Sequence, residues 1–195
     1  MVESNLNTRH RIIMAALAVI GEQGTDHITT RVIAKYANVN HAAINYYFES
    51  KEDLIEKTLQ YFQLGLQDIF KILHYLGLTA RERLFRFSKN FIQYNSKYPG
   101  VEHHILSRLI TRSETDRNVT ELMKSNLKSI AIVLEEISNR DGEMVLRFKA
   151  LSFFSSLVYP LLLNRYALAV MGADYGDNQT TQDYINVLID SFISD

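Results

Sequence analysis

The amino-acid sequence predicts an all-α fold, and three observations support this prediction. Apolar residues recur at intervals of three and four along most of the chain, as one face of an α-helix requires. The 195 residues include only 8 glycines and 2 prolines, too few turn-forming residues for a fold of many short strands. Apolar residues make up 47% of the chain, enough for a sizeable core, and this excludes a disordered protein.

The first helix is indicated by an apolar stripe that Gly21 and Gly24 are expected to end. A short second helix should follow, with Thr29 as its N-cap. Asn38 to Asn40 predict a tight turn, in which Asn38 adopts a left-handed backbone and Asn40 caps a third helix over roughly 41–47. The residues of the first stripe are Ile13, Ala16, Leu17 and Ile20.

A long fourth helix should begin at a capping box, with Ser50 as N-cap and Asp53 three residues later, and its apolar positions continue to Leu73. Gly77 to Thr79 interrupts this pattern. The next helix should stop at Tyr98-Pro99-Gly100. Later helices are indicated by apolar spacing at 105–110, 123–137, 144–171 and 184–192, which gives about nine helices in total.

The segment 144–171 is apolar nearly all round, so its helix must be covered on several sides, and Pro160 is expected to kink it. Its longest uncharged stretch, 150–164, has 15 residues and is too short for a bilayer span. The N-terminal residues contain no export signal. We therefore expect a soluble, cytoplasmic protein with no membrane partner.

Composition excludes several kinds of site. Since the chain has no cysteine, disulfide scaffolds, thiolate zinc sites, iron–sulfur clusters and cysteine nucleophiles are excluded. His103 and His104 are adjacent and would point about 100° apart on a helix, so we expect no metal site there. No spacing of residues suggests catalysis, and no cofactor is expected. The net charge of −1 means that any nucleic acid would have to bind a local patch.

Two short helices joined by a tight turn and followed by a capped long helix are typical of a helix-turn-helix domain. The letters TTRVIAKYANVN (29–40) and AINYYFESKEDL (43–54) resemble the N-terminal domain of the TetR family of transcriptional regulators. The resemblance covers roughly residues 8–60. It implies a DNA-binding domain over 1–51, with its motif at about 29–48, and a ligand-binding and dimerisation domain over 52–195.

The family pattern reads T-T-x-x-I-A-x-x-A-G-V-S-x-G-T-L-Y-x-Y-F-x-S-K-E-x-L, and this sequence departs from it in a few places. Asn38 replaces Gly and Asn40 replaces Ser, and asparagine can serve both the turn and the cap. Ala42 and Ala43 replace Gly-Thr. Asn45 replaces the Tyr of the recognition helix, which changes an implied DNA contact.

By position, the resemblance implies phosphate contacts at Thr30 and at the hydroxyl of Tyr47, and at Lys51 beside a helix start. The resemblance also implies that Arg31, His41, Ala42 and Asn45 face the bases. An arginine suits guanine, an asparagine suits adenine, and the methyl group of Ala42 or Ala43 suits that of thymine. The DNA-binding residues are therefore expected to be Thr29, Thr30, Arg31, Asn40, His41, Ala42, Ala43, Asn45, Tyr46, Tyr47 and Lys51. Residues 1–51 contain only one more basic than acidic side chain, so this patch is weak.

The resemblance also implies that the larger domain binds a small-molecule effector. Aromatic residues are mostly core residues, but ligand pockets are also apolar with a few polar anchors. The candidate pocket residues are Phe62, Phe91, Tyr94, Asn95, His104, Arg108 and Phe154. A twofold partner would cover the apolar C-terminal helices in a four-helix interface. Its candidate residues are Leu157, Leu161, Tyr184, Leu188 and Phe192.

The resulting interpretation is a homodimeric repressor that binds a palindromic operator in double-stranded DNA and is released by a small molecule. One alternative is a DNA-binding organiser of the same fold that a protein partner controls; a compound that weakens operator binding would distinguish the two. A second alternative is a helical enzyme or carrier with a vestigial head, which predicts no sequence-specific DNA binding.

Overall fold

The computed structural model describes residues 2–25, 28–111, 117–137, 142–163 and 177–193. Within these ranges every regular element is helical, which confirms the predicted all-α class. The nine α-helices of these ranges are α1 (Val2–Gln23), α2 (Thr30–Tyr36), α3 (His41–Tyr47), α4 (Lys51–Phe70), α5 (Ala80–Asn95), α6 (Pro99–Thr111), α7 (Arg117–Glu135), α8 (Glu143–Leu163) and α9 (Asn178–Asp190). A 3₁₀-helix, Lys71–His74, follows α4.

The chain divides into two compact units. The first comprises Met1–Gly65 and Lys97–Ile110, and the second comprises Leu66–Ser96 and Thr111–Asp195. Each unit has its own buried apolar core. In the first unit the fully buried side chains include Ile12, Leu17, Ile20, Ile33, Ile44, Leu54 and Phe62. In the second they include Leu84, Phe87, Phe91, Ile130, Phe153 and Ile185.

The two glycines at the end of α1 have different roles. Gly24 has a φ of +72°, and its N–H donates to the carbonyl of Ile20 at 2.9 Å, so it ends the helix as predicted. Gly21 lies inside α1, and the prediction that it helps to end the helix was wrong. A Cβ at Gly21 would lie 2.9 Å from the Cα of Tyr98. The absence of a side chain at Gly21 therefore allows close packing against Tyr98 and does not serve to end the helix.

The turn between α2 and α3 forms as its residues predict. The Thr29 Oγ1 accepts a hydrogen bond from the Val32 N–H at 3.3 Å, and the Asn40 Oδ1 accepts one from the Ala42 N–H at 3.0 Å. Asn38 has a φ of 50°, in the left-handed region. These contacts confirm both predicted caps and the predicted turn residue.

Asn38→Ala is expected to lower the free energy of unfolding by about 1 kcal/mol, because a residue with a Cβ pays a steric cost at positive φ that asparagine partly offsets. Asn38→Gly, which has no Cβ, is the control and should stay within about 0.5 kcal/mol of the wild type. Urea denaturation of the full chain measures both changes. Equal stability of the alanine and glycine variants would contradict the assigned turn.

Helix boundaries in the middle of the chain differ from the sequence predictions in two places. The pattern that continues to Leu73 is helical throughout, but α4 ends at Phe70 and the 3₁₀-helix carries the last turn. Tyr98-Pro99-Gly100 does separate two helices, yet Pro99 begins α6 rather than ending α5, which stops at Asn95. Proline is well suited to the first position of a helix because no intrahelical partner awaits its missing N–H.

A buried arginine ties together three elements of the second unit. Arg83 of α5 is almost fully buried, and its Nη1 donates to the carbonyl of Leu73 at 2.9 Å. Its Nη2 forms an ion pair with Glu136, just after α7. The guanidinium therefore satisfies a backbone carbonyl at the end of the 3₁₀-helix and also anchors the end of α7 to α5.

Helix α8 is apolar but only partly covered. By length and composition alone this helix could cross a membrane. Of its most apolar segment of 18 residues, 28% is buried within the protein. Its exposed large apolar side chains are Met144, Val145, Phe148, Leu151, Tyr159, Leu162 and Leu163. Pro160 lies within the helix. The predicted continuation to Met171 lies outside the described residues.

Candidate nucleic-acid interface

Helix α3 has one buried face and one exposed face. Ile44 and Phe48, at its end, are buried in the first unit, and Val39 in the preceding turn is half-buried. Ala42, Asn45 and Tyr46 are exposed, with Tyr46 75% accessible. This pattern fixes the rotation of α3 about its axis, because the apolar side chains hold it against the core and the others point to solvent.

The other predicted DNA-binding residues lie before, between or after these three residues in the sequence. Thr29, Arg31 and Asn40 are exposed, while the others are half-buried. The half-buried set is Thr30, His41, Ala43, Tyr47 and Lys51. All of them lie in the same compact unit, between the N-cap of α2 and the start of α4.

The start of α4 holds Lys51 beside a capped helix terminus. Ser50 Oγ accepts from the Asp53 N–H at 3.0 Å, as the predicted capping box requires. The Asp53 carboxylate accepts from the N–H of Glu49 at 3.2 Å rather than from that of Ser50. Lys51, the first residue of α4, adds a full positive charge at this end of the helix.

Two basic residues counted toward the weak patch have structural contacts. The Arg11 Nη2 donates to the carbonyls of Ala37 and Asn38 at 3.3 Å each, where α2 ends. The Arg9 guanidinium lies 5.5 Å from the centre of the Phe48 ring. Each contact joins α1 to the helix-turn-helix segment, so these two arginines help to hold the segment in place.

The candidate pocket residues do not all belong to one unit. Phe62 and His104 lie in the first unit, where the Phe62 ring packs edge-on against Tyr98 and the His104 Nδ1 is 2.8 Å from the Thr25 Oγ1. In the second unit, the rings of Phe91 and Phe154 lie 5.4 Å apart. Tyr94 and Asn95 follow Phe91 on α5. The side chain of Arg108 lies outside the described part of the chain.

Glu102 is a buried acid that the sequence analysis missed. It lies on α6 and is 7% exposed. Burial raises the pKa of Glu102 to about 7, because the charged form loses its hydration. The Glu102 carboxyl group therefore binds its proton more tightly in the folded chain than in the unfolded chain. Because of this, the free energy of unfolding falls as the pH rises from about 4.5 to about 7. Sequence alone gave no signal for it, since an isolated glutamate on a helix is usually exposed.

The predicted dimer-interface residues differ in how far they are buried within the single chain, and the interface stays a prediction. Leu157, Leu161 and Leu188 lie in the core of the second unit, because their helices turn these side chains toward α5 and α7 rather than outward. Tyr184 and Phe192 are half-buried against the same core, and the Tyr184 hydroxyl donates to the Ser156 carbonyl at 2.6 Å. A surface for a second copy would therefore need their exposed neighbours.

No group of three or more histidine, aspartate or glutamate side chains that could hold a metal ion occurs among the described residues.

Residues 12–58 match the family model described as "Bacterial regulatory proteins, tetR family". The chain is 38% identical over 76 residues to the HTH-type transcriptional regulator BetI of Rhizobium meliloti, a match that covers 39% of this chain and 37% of BetI. It is 25% identical to the probable HTH-type transcriptional regulator YttP of Bacillus subtilis over 85% of this chain and 83% of YttP.

The fold is similar to that of a TetR-like transcriptional regulator from Rhodococcus sp. RHA1. The TM-score is 0.69 at 16% identity, with 93% of this chain and 92% of the other covered. The likeness at this identity concerns the fold alone. The BetI match spans little more than a third of that protein, and the family model matches residues 12–58 of this chain, so the sequence similarity concerns only part of each protein.

Proposed function

We propose that this chain is a member of the TetR family of bacterial regulatory proteins and a sequence-specific DNA-binding transcriptional regulator, a repressor that a small-molecule ligand releases. The observation that carries this proposal is the exposed face of α3, with Ala42, Asn45 and Tyr46, held by a buried core inside the matched segment. An α-helix presented in this way fits the major groove. The relatives named above are regulators, which favours this function over an enzyme or a carrier.

The roles within the head follow from chemistry and position. Asn45 is exposed and can form a bidentate contact with adenine, and exposed Arg31 can bind guanine O6 and N7. The methyl group of Ala42 or Ala43 can contact thymine. Lys51 and the hydroxyl groups of Thr30 and Tyr47 would bind phosphates, which set the register of the head on the duplex without reading sequence.

We assign DNA binding to residues 1–51 and ligand binding with dimerisation to residues 52–195. In the second unit, Phe91, Phe154 and Asn95 offer two rings and an amide whose Oδ1 is buried without a hydrogen-bond partner, a combination suited to an apolar ligand with a polar anchor. A compound that weakens operator binding supports this role. If no compound does so while a protein partner does, the chain is instead an organiser under protein control.

We propose that a second copy of the chain packs against the exposed apolar stripe of α8. Phe148, Leu151, Tyr159 and Leu162 recur at helical spacing along one exposed stripe, and Val187 of α9 is 70% exposed. A twofold four-helix interface would bury this stripe and carry two recognition helices to a palindromic operator about 34 Å apart. We propose this soluble, cytoplasmic homodimer in preference to insertion of α8 into a bilayer.

Lys51→Ala is expected to weaken binding to all DNA sequences about equally, because the contact is to phosphate. The slope of log affinity against log salt should fall in magnitude by about 1 per subunit. Fluorescence anisotropy with a labelled duplex, repeated over a series of salt concentrations, measures this slope. Lys57→Ala, on the same helix and half-buried like Lys51, is the control and should leave the slope unchanged. An unchanged slope for Lys51→Ala would remove this residue from the phosphate contacts.

A further inference from the structure

One hydrogen bond connects the first residues of the two helices of the motif. The Thr30 Oγ1 and the His41 Nε2 are 2.8 Å apart and partly buried. Thr30 begins α2 and His41 begins α3, and each follows a residue that caps its helix. The bond therefore lies where both helices approach the proposed DNA surface.

The direction of this hydrogen bond decides what Thr30 can offer to DNA. A threonine hydroxyl has one proton and two lone pairs, and a phosphate oxygen accepts but does not donate. If the His41 Nε2 is unprotonated, it takes the hydroxyl proton, and Thr30 has nothing to donate to a phosphate. If the Nε2 carries a proton, it donates to the Oγ1 and the hydroxyl proton remains free.

We propose that His41 is a positioning residue for DNA binding: its Nε2–H donates to the Thr30 Oγ1 and directs the hydroxyl proton of Thr30 to a DNA phosphate. The inference rests on the proposed function, because it presupposes that Thr30 faces a phosphate. It changes the role that the sequence suggests for His41. With the Nε2 occupied by Thr30, His41 acts through Thr30 and not as a reader of bases.

Since phosphate contacts carry no sequence information, the test uses a random-sequence duplex of about 30 base pairs at low salt. Binding is measured by fluorescence anisotropy for His41→Ala, Thr30→Val and the double variant. Thr30→Val keeps the shape of the side chain and removes the hydroxyl. His41→Gln keeps an N–H donor near the position of the Nε2. His10→Ala is the matched control, because the His10 Nε2 also lies near a hydroxyl, that of Tyr61 at 3.2 Å in the same unit.

The proposal predicts that Thr30→Val weakens binding about tenfold, as expected for one hydrogen bond to a charged acceptor, and that His41→Ala weakens it by a large part of this factor, because the hydroxyl proton is no longer directed to the phosphate. The double variant should bind no more weakly than Thr30→Val alone, because His41 acts through that hydroxyl. His41→Gln should recover most of the loss, and His10→Ala should bind as the wild type does. A ¹⁵N spectrum of the histidine side chains in the complex should show a protonated His41 Nε2.

Losses that add in the double variant would overturn the positioning role, and so would an unprotonated Nε2 in the complex or wild-type binding by His41→Ala. Failure of His41→Gln to recover binding would also contradict it. A wild-type chain that binds no duplex at low salt would overturn the proposed function itself, and the role of His41 with it. The two failures are therefore distinguishable.

Discussion

Gly100→Ser is expected to lower the free energy of unfolding by about 3 kcal/mol or more, because a Cβ at this position overlaps backbone atoms. It would lie 2.1 Å from the carbonyl oxygen of Ile20 and 3.1 Å from both the Gly21 oxygen and the Gly24 nitrogen. Backbone atoms cannot rotate away as a flexible side chain can. The first turn of α6 would have to separate from the end of α1, a contact within the first compact unit.

Gly142→Ser is the control for this prediction. A Cβ at Gly142 meets nothing within 4 Å, so the variant should remain within about 0.5 kcal/mol of the wild type. Thermal and urea unfolding of both variants measure the difference. If Gly100→Ser proves as stable as Gly142→Ser, the first turn of α6 does not lie in contact with the end of α1.

Phe148→Glu should produce monomers and weaken operator binding by about 100-fold or more. Phe148 lies in the exposed α8 stripe and is 61% exposed, so the change should not disturb the core of the single chain. In a twofold interface it would bring two carboxylates into an apolar surface, which is strongly unfavourable. The loss on DNA follows because two linked heads bind far more tightly than one.

Tyr75→Glu is the matched control, because Tyr75 is also 61% exposed but lies before α5, away from the α8 stripe in sequence. Analytical ultracentrifugation should show a dimer for this variant and for the wild type. A dimeric Phe148→Glu variant with normal operator affinity would mean that the interface lies elsewhere, or that α8 has another occupant.

The helix-turn-helix segment could be predicted from sequence because its signals are local. Thr29, Asn38, Asn40 and Ser50 each act through their own backbone or that of residues two or three positions away, and their roles in caps and turns do not depend on distant parts of the chain. Helical spacing likewise predicted the buried face of α1, at Ile13, Leu17 and Ile20.

Contacts between distant residues could not be predicted in the same way. Nothing in the spacing indicates that Gly100 meets Ile20, that Arg83 reaches Leu73 and Glu136, or that Glu102 is buried. Helix α8 shows the limit most clearly. A helix that is apolar all round has no preferred face in its sequence, so the spacing could not distinguish core residues such as Leu157 from exposed ones such as Phe148.

The central claim, sequence-specific DNA binding by the exposed face of α3, is tested most directly by one comparison of affinities. Purified protein is titrated into a duplex from the DNA upstream of its own gene and into a shuffled duplex of equal length and composition, at one physiological salt concentration. We expect the wild type to bind the upstream duplex about 1,000-fold or more tightly. Asn45→Ala should lose ~1–3 kcal/mol on that duplex and much less on the shuffled one. Equal affinity of the wild type for the two duplexes would contradict the account.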